Sequence, residues 1–390
     1  MKKPIAIIGA SALQLPLIEK AKEMGLETHV FAWAAGDVGE QAADVFYPVS
    51  ITETDTITDI CRRIAPCAVV SIASDLAAIT VNRAANALGL PANPPETALI
   101  ATNKYEMRRT FREAGIPVPA FTRIGPGEDL SEIRRMRLPL IVKPTDRSGS
   151  RGIFKLESFD QLEESIAAAC AESFEGKAIV EEFIRGNEYS CECITQNGVH
   201  CCLALTKKFT TGAPHFIETG HLEPAGLDPE TAEQVREQVF RALDALHVRC
   251  GASHSEFRVD PETGEIRLIE IGARMGGDCI GSDLVRLSTG VDFVKAVIQA
   301  AMGEAADLTP APHTAAAAVR YIMNRQDYED YLALRATHPE MIVRQSAMQT
   351  EQMEADVTDS SRRFGFYIAA GDSPDELCRM LHLAENTERQ

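Results

Sequence analysis

Positive charge is what this chain is short of. Lys and Arg total 39 against 57 Asp and Glu, a formal balance of −18, whereas affinity for a phosphate backbone rests on clustered Lys and Arg. That deficit argues against nucleic acid as a partner and for small molecules. A nucleotide remains within reach, because a few local cations and a divalent metal can supply the charge that an acidic protein lacks. Long apolar runs are missing as well. The stretch from Ile5 to Ala10 gives way to Gln14 and Glu19, too short for a signal h-region or a membrane span, so a cytoplasmic location is expected. The ten cysteines form no Cys-x-x-Cys pair and no framework spacing, which suits reduced thiols. Cys191, Cys193, Cys201 and Cys202 flank Asn197-Gly198, a strong two-residue hairpin turn. In that register Cys193 faces Cys202, while Cys201 and Cys202 point to opposite faces, which spoils a four-sulfur cage and favours core packing.

What is present is ample core material. Apolar residues make up 45 % and charged residues 25 % of 390 positions, the composition of a folded protein with two or three domains. Ile5–Gly9, a helical stretch from about Leu13 to Met24, Thr28–Trp33 and Ala68–Ala73 read as an α/β, Rossmann-like opening domain. A dinucleotide site does not follow, since Ala10-Ser11-Ala12-Leu13-Gln14 after Gly9 lacks the glycines that let a pyrophosphate approach. Prolines 91, 94 and 95 and then 310 and 312 punctuate the chain. The expected layout is residues 1–102, a central α+β domain over 103–308, and a small β-containing segment over 309–390.

Ser255 to Ile271 reads as a hairpin symmetric about Thr263, placing Glu256 opposite Glu270. Alternation then assigns Phe257, Val259, Ile269 and Ile271 to the apolar face, and His254, Glu256, Arg258 and Glu270 to the other. Paired carboxylates repel unless a divalent cation lies between them, and Mg²⁺, with Mn²⁺ as an alternative, takes oxygen ligands and substrate phosphates in this way. Taken alone, the same face fits a solvated hairpin. Leu138 to Pro144 is a strand carrying Lys143, followed by the small-residue loop Thr145 to Gly152, whose backbone N–H groups can cover phosphate oxygens. It is not a P-loop, for Gly-x-x-x-x-Gly-Lys-Ser/Thr is absent. The Asn197-Gly198 turn places Glu188 opposite Lys207.

In their order, Asn103-Lys104, Ile141-Val142-Lys143-Pro144, the small-residue loop, Glu181-Glu182-Phe183-Ile184, Glu188, Ser255-Glu256-Phe257 and Ile269-Glu270-Ile271-Gly272-Ala273-Arg274 resemble the ATP-grasp superfamily, from about Ile5 to Gly303. The resemblance implies that Lys104 and Lys143 contact ATP phosphates and that Ser148, Gly149, Ser150 and Gly152 cover them. Adenine would lie against Glu181, Glu182, Phe183 and Ile184, with Glu188 on the ribose. It also implies that Glu256 and Glu270 hold magnesium, with Arg274 and Lys143 as catalytic groups. One departure is Gly272, where the family usually has an Asn contact to metal; water, His254 or weaker binding of a second ion would answer it, and water is favoured.

Glu218-Thr219-Gly220-His221, His254-x-Glu256, Gly276-Gly277-Asp278 and Arg363-Phe364-Gly365-Phe366 are most similar to L-amino-acid ligases that make dipeptides. Glu218, His254, Gly276, Gly277 and Asp278 would then face an amino-acid substrate. The implied activity is ATP-dependent joining of a carboxylate to an amine through an acyl phosphate. Two other readings stay open: a purine-pathway or biotin-carboxylase-like enzyme using formate or bicarbonate, and an inactive nucleotide-binding protein. A homodimer is compatible with the sequence.

Overall fold

The computed structural model describes residues 2–149, 151–213, 216–353 and 355–383. The first sheet is parallel, with order β3-β2-β1-β4, from β1 (Pro4–Ile8), β2 (Glu27–Ala32), β3 (Val45–Pro48) and β4 (Val69–Val70). Its centre is a continuous apolar run, Ile5 to Ile8, wholly buried, as expected of a strand covered on both faces. The helix Asp75–Leu88 leaves β4, its first turn capped by Ser74 and its end by Gly89 at φ +68°, a left-handed position that suits glycine.

A second, antiparallel sheet has order β5-β8-β6-β7, from β5 (Phe121–Ile124), β6 (Leu140–Pro144), β7 (Phe154–Leu156) and β8 (Ala178–Glu182). The helix Leu162–Glu172 packs on it through Leu162, Ile166 and Ala169. The third sheet has eight strands: β9 (Asn187–Gln196), β10 (Val199–Thr210), β11 (Glu218–Glu223), β12 (Cys250–Val259), β13 (Ile266–Gly272), β14 (Ala316–Tyr321), β15 (Ile342–Gln345) and β16 (Phe366–Gly371). Their order is β13-β12-β9-β10-β11-β14-β16-β15. Strands β14 to β16 thus extend the central sheet instead of forming a sheet of their own. One face of this sheet is covered by the helix Pro229–Ala245, and the other by Phe293–Ala301 and the first unit. The fold is the mixed α/β arrangement expected. Among the described residues no helix is long and apolar enough to cross a membrane.

Register explains two departures. The Asn197-Gly198 turn forms, with Gln196 paired to Val199 and Cys193 to Cys202, and both turn residues have positive φ. Beyond it, an extra residue at Leu203 shifts the ladder by one, so Tyr189, not Glu188, pairs with Lys207. Lys208 consequently meets Glu188, Nζ to Oε1 3.3 Å. In the β12–β13 hairpin, Glu256 pairs with Glu270 and His254 with Gly272, but the ladder shifts after Glu256 and Phe257 pairs with Leu268. Leu268 therefore takes the core place expected for Ile269 and is wholly buried, while Ile269 borders the cavity described next. Each is a β-bulge, in which the extra residue moves every later side chain by one place.

Candidate active site

All three sheets border one cavity of about 760 Å³, within the roughly 300–1,000 Å³ that suits a small-molecule ligand. The first sheet reaches it through Ala12, Leu13, Ala73 and Asp75, beyond the carboxyl ends of β1 and β4. Strand order reverses between these two strands, and open α/β sheets bind ligands at such switch points. Of the expected site residues, Lys104, Lys143, Ser148, Gly149, Glu181, Phe183, Ile184, Glu188, Glu218, His254, Glu256, Glu270, Arg274, Gly277 and Asp278 line the cavity. Gly152, Glu182 and Gly276 do not, and Ser150 lies outside the described residues. Glu182 turns away to Arg137, Oε2 to Nη2 2.9 Å. Gly276 backs the site: a Cβ there would come within 2.8 Å of Glu192 Oε2 and 2.9 Å of His254 Nδ1.

One wall is cationic. Lys143 projects from β6 and Glu181 from the adjacent β8, where Ile141 pairs with Glu181. Glu181 is 3 % exposed and binds Arg108 Nε at 2.8 Å and Lys143 Nζ at 2.5 Å. Burial alone would raise its carboxyl pKa, but Arg108 and Lys143 outweigh burial and hold it at about 2. Lys143 moves the other way. Burial, reinforced by Arg108 and Lys104, draws its ammonium below the usual value despite Glu181. The asymmetry is physical, since one carboxylate serves two cations and each cation has only a share of it. Lys104 opens the helix Lys104–Glu113, capped by the Asn103 side chain. Its Nζ donates to Arg147 O at 2.6 Å and lies 3.1 Å from Glu270 Oε2, so it joins the loop to the acidic wall.

The acidic wall is on the third sheet. Lys208 Nζ lies 2.6 Å from Glu256 Oε1 and 3.3 Å from Glu188 Oε1, and Arg258 Nη2 donates to Glu188 Oε2 at 2.9 Å. Burial opposes charge on both glutamates, but Lys208, helped at Glu256 by His254 and at Glu188 by Arg258, holds them ionised. His254 meets Glu192 through Nδ1 at 2.5 Å and Glu256 through Nε2 at 3.1 Å. Burial disfavours its imidazolium, yet these two carboxylates outweigh that and raise its pKa to about 9. Both ring nitrogens are thus engaged. Glu256 and Glu270 offer carboxylate oxygens at the same cavity, a donor set that fits a hard divalent cation such as Mg²⁺.

Gly272 has a steric cause. A Cβ there would lie 3.0 Å from both Arg274 Cζ and Asp75 Oδ1, because the Arg274–Asp75 pair fills the space a side chain would need. That pair is two-pronged, Nε to Oδ1 2.8 Å and Nη2 to Oδ2 3.1 Å. Asp278 and Arg363 form a second such pair, with both contacts at 2.9 Å, and the Arg363 guanidinium lies 3.7 Å from the Tyr321 ring centroid. Asp278 therefore presents its carboxylate already neutralised.

Asp75, Arg108, Lys208 and Arg363 were not assigned to the site from sequence. Asp75 carried a readable signal, as an acidic helix start directly after a parallel strand. Arg108 follows Lys104 by four, the spacing of a shared helix face. Lys208 was hidden by the bulge.

Residues 136–283 match the ATP-grasp domain family. The chain is 30 % identical over 203 residues to D-alanine–D-alanine ligase B of Chromobacterium violaceum, covering 50 % of this chain and 66 % of that protein. It is 29 % identical over 218 residues to alanine–anticapsin ligase of Bacillus subtilis, covering 50 % of this chain and 46 % of that protein. The chain thus spans between about half and two thirds of these relatives' lengths. In fold it is similar to the L-amino acid ligase from Bacillus licheniformis, with a TM-score of 0.79 and 24 % identity, over 99 % of this chain and 98 % of that one.

Proposed function

We propose, from the premise that this chain carries an ATP-grasp domain, that it is an ATP-dependent ligase joining the carboxylate of one amino acid to the amine of another. The observation that carries this reading is the convergence of Glu256 and Glu270 with Lys104, Lys143 and Arg274 on one cavity. Magnesium, held by Glu256 and Glu270, would offset charge on the ATP phosphates.

A carboxylate is a poor electrophile, so its oxygen first attacks the γ-phosphate, giving an acyl phosphate and ADP. Lys143, Lys104 and the amides around Ser148 and Gly149 would neutralise the phosphoryl oxygens, and the Arg274 fork would hold the transferred group. Asp75 aims that fork in the free protein. A neutral amine then attacks the acyl carbon and phosphate leaves. The small-residue loop over the cavity would shield the intermediate from water. Phe183 and Ile184 line the cavity and would give adenine an apolar bed, and Glu188 would accept from the ribose hydroxyls. Glu218, Gly277 and Asp278 lie in the same cavity near Tyr321 and Arg363, where an amino acid offers both charges to recognise.

The test is to incubate the protein with ATP, magnesium and pairs of amino acids, following phosphate release and product mass. The expected result is ADP, phosphate and a product equal to both substrates less water. Failure to form ADP with any acid and amine, or its formation only with bicarbonate or formate, would overturn the proposal.

A further inference from the structure

The opposite face of the same sheet carries a feature the nucleotide chemistry does not use. Cys191 and Cys193 stand two apart on β9, and the in-register part of the hairpin brings Cys202 of β10 beside Cys193. Cys191 Sγ lies 3.6 Å from Cys193 Sγ and 3.5 Å from Cys202 Sγ, and all three sulfurs lie within 4.8 Å of one another. Among the described residues this is the one cluster of three or more His, Cys, Asp or Glu side chains with ligand atoms so close together. Cys201 is exposed and stands outside this cluster of three sulfurs.

Two further observations bear on it. A metal–sulfur bond of about 2.3 Å places two sulfurs roughly 3.8–4.0 Å apart at tetrahedral to trigonal angles, within a few tenths of an ångström of the two short separations here. On β12, Ser253 pairs with Cys193 and Ser255 with Cys191; both serines are wholly buried, and neither hydroxyl oxygen has a hydrogen-bond partner. A buried hydroxyl without a partner is costly, and two stand beside the sulfurs in the apolar core under the helix Pro229–Ala245.

We propose that Cys191, Cys193 and Cys202 form a binding site for a single three-coordinate thiophilic ion, separate from the nucleotide cavity. Thiolates select soft ions, and among the described residues no carboxylate or imidazole completes a fourth position within the cluster. Charge decides further among soft ions. A divalent cation on three thiolates leaves a buried negative charge, which an apolar core disfavours, whereas a trivalent centre leaves none. Arsenous acid is the probe: three S–H and three As–OH bonds exchange for three As–S bonds and three waters, with no oxidant or reductant needed. Cys202, only partly buried, gives the edge from which the ion reaches the two buried sulfurs.

The full chain, kept reduced with a phosphine, would be titrated with arsenite and weighed by native mass spectrometry. The expected adduct is one arsenic atom less three hydrogens per chain. Cys191→Ser, Cys193→Ser and Cys202→Ser should each weaken binding by more than about 100-fold, since partners one shell out from a metal already cost about 10–100-fold. Cys201→Ser should bind unchanged. As the buried variants could fold poorly, X-ray absorption of wild-type protein provides an independent reading and should show three sulfur neighbours around arsenic. Absence of an adduct on the folded chain, two sulfurs plus an oxygen at arsenic, or undiminished binding by a well-folded Cys202→Ser would each overturn the proposal.

Discussion

At Glu181 a single carboxylate joins β8 to Arg108 of the helix Lys104–Glu113 and to Lys143 of β6. Its pKa is held at about 2 against an ordinary 4.5. A depressed carboxyl contributes stability that is fully present above the unfolded value and is lost as pH falls through the folded one. The window therefore runs from about pH 4.5 down to about 2. By linkage the contribution at neutral pH is roughly 3 kcal/mol. Denaturant unfolding of Glu181→Gln should show a loss of that order at pH 7, and its difference from wild type should shrink towards pH 2; a constant difference across the window would refute the assignment. Arg274→Lys tests a contact closer to the chemistry. An ammonium cannot reproduce the two-pronged pair with Asp75 or grip a phosphoryl group in the same way, so kcat should fall by about 10²–10³-fold, and an unchanged kcat would remove Arg274 from its proposed role. Glu256 and Glu270 were legible because alternation about the hairpin puts both on one face, and Lys143 as a lysine on a strand that leads into a small-residue loop. Asp75 was legible only as an acidic helix start; its meeting with Arg274, 199 positions away, has no local signature.

Strands and turns were legible where local chemistry dictates them. Asn197-Gly198 demands positive φ at both turn positions and obtains it, and the pairing of Glu256 with Glu270 follows from hairpin symmetry. The bulges at Leu203 and Ile269 were not legible, because an inserted residue is chosen by packing on both sheet faces and leaves no local signature. Their effect on chemistry is large. The first moves the cavity lysine from 207 to 208, and the second exchanges Ile269 for Leu268 in the core. Substituting each lysine separates the two registers. Lys208→Met leaves Glu188 and Glu256 facing each other without their shared cation and should cost about 3–5 kcal/mol, together with weaker nucleotide binding. Lys207→Met should stay within about 0.5 kcal/mol of wild type. Paired urea titrations decide, and equal losses from both variants would contradict the shifted ladder.

On the scale of the molecule, the cavity exists only where three sheets converge. Asp75 comes from the helix after β4, Lys104 and Lys143 from the unit around β6, and Glu256 and Glu270 from the large sheet. Composition anticipated a folded, acidic protein. It did not anticipate that β14 to β16 continue the central sheet, because strand order is set by packing partners far apart in sequence. A ligand gripping all three walls should stabilise the chain by linkage, about 2.7 kcal/mol at a concentration 100 times its Kd. If Glu256 and Glu270 bring in the cation that joins nucleotide to the large sheet, the gain requires metal. Thermal melts with ATP and magnesium should therefore rise by several degrees, fall back when a chelator is added, and stay low for Glu270→Gln, whose volume is nearly conserved while its charge is lost. A melt raised equally by ATP with and without the chelator would show a nucleotide bound independently of the paired carboxylates, and the metal role assigned to them would have to be given up.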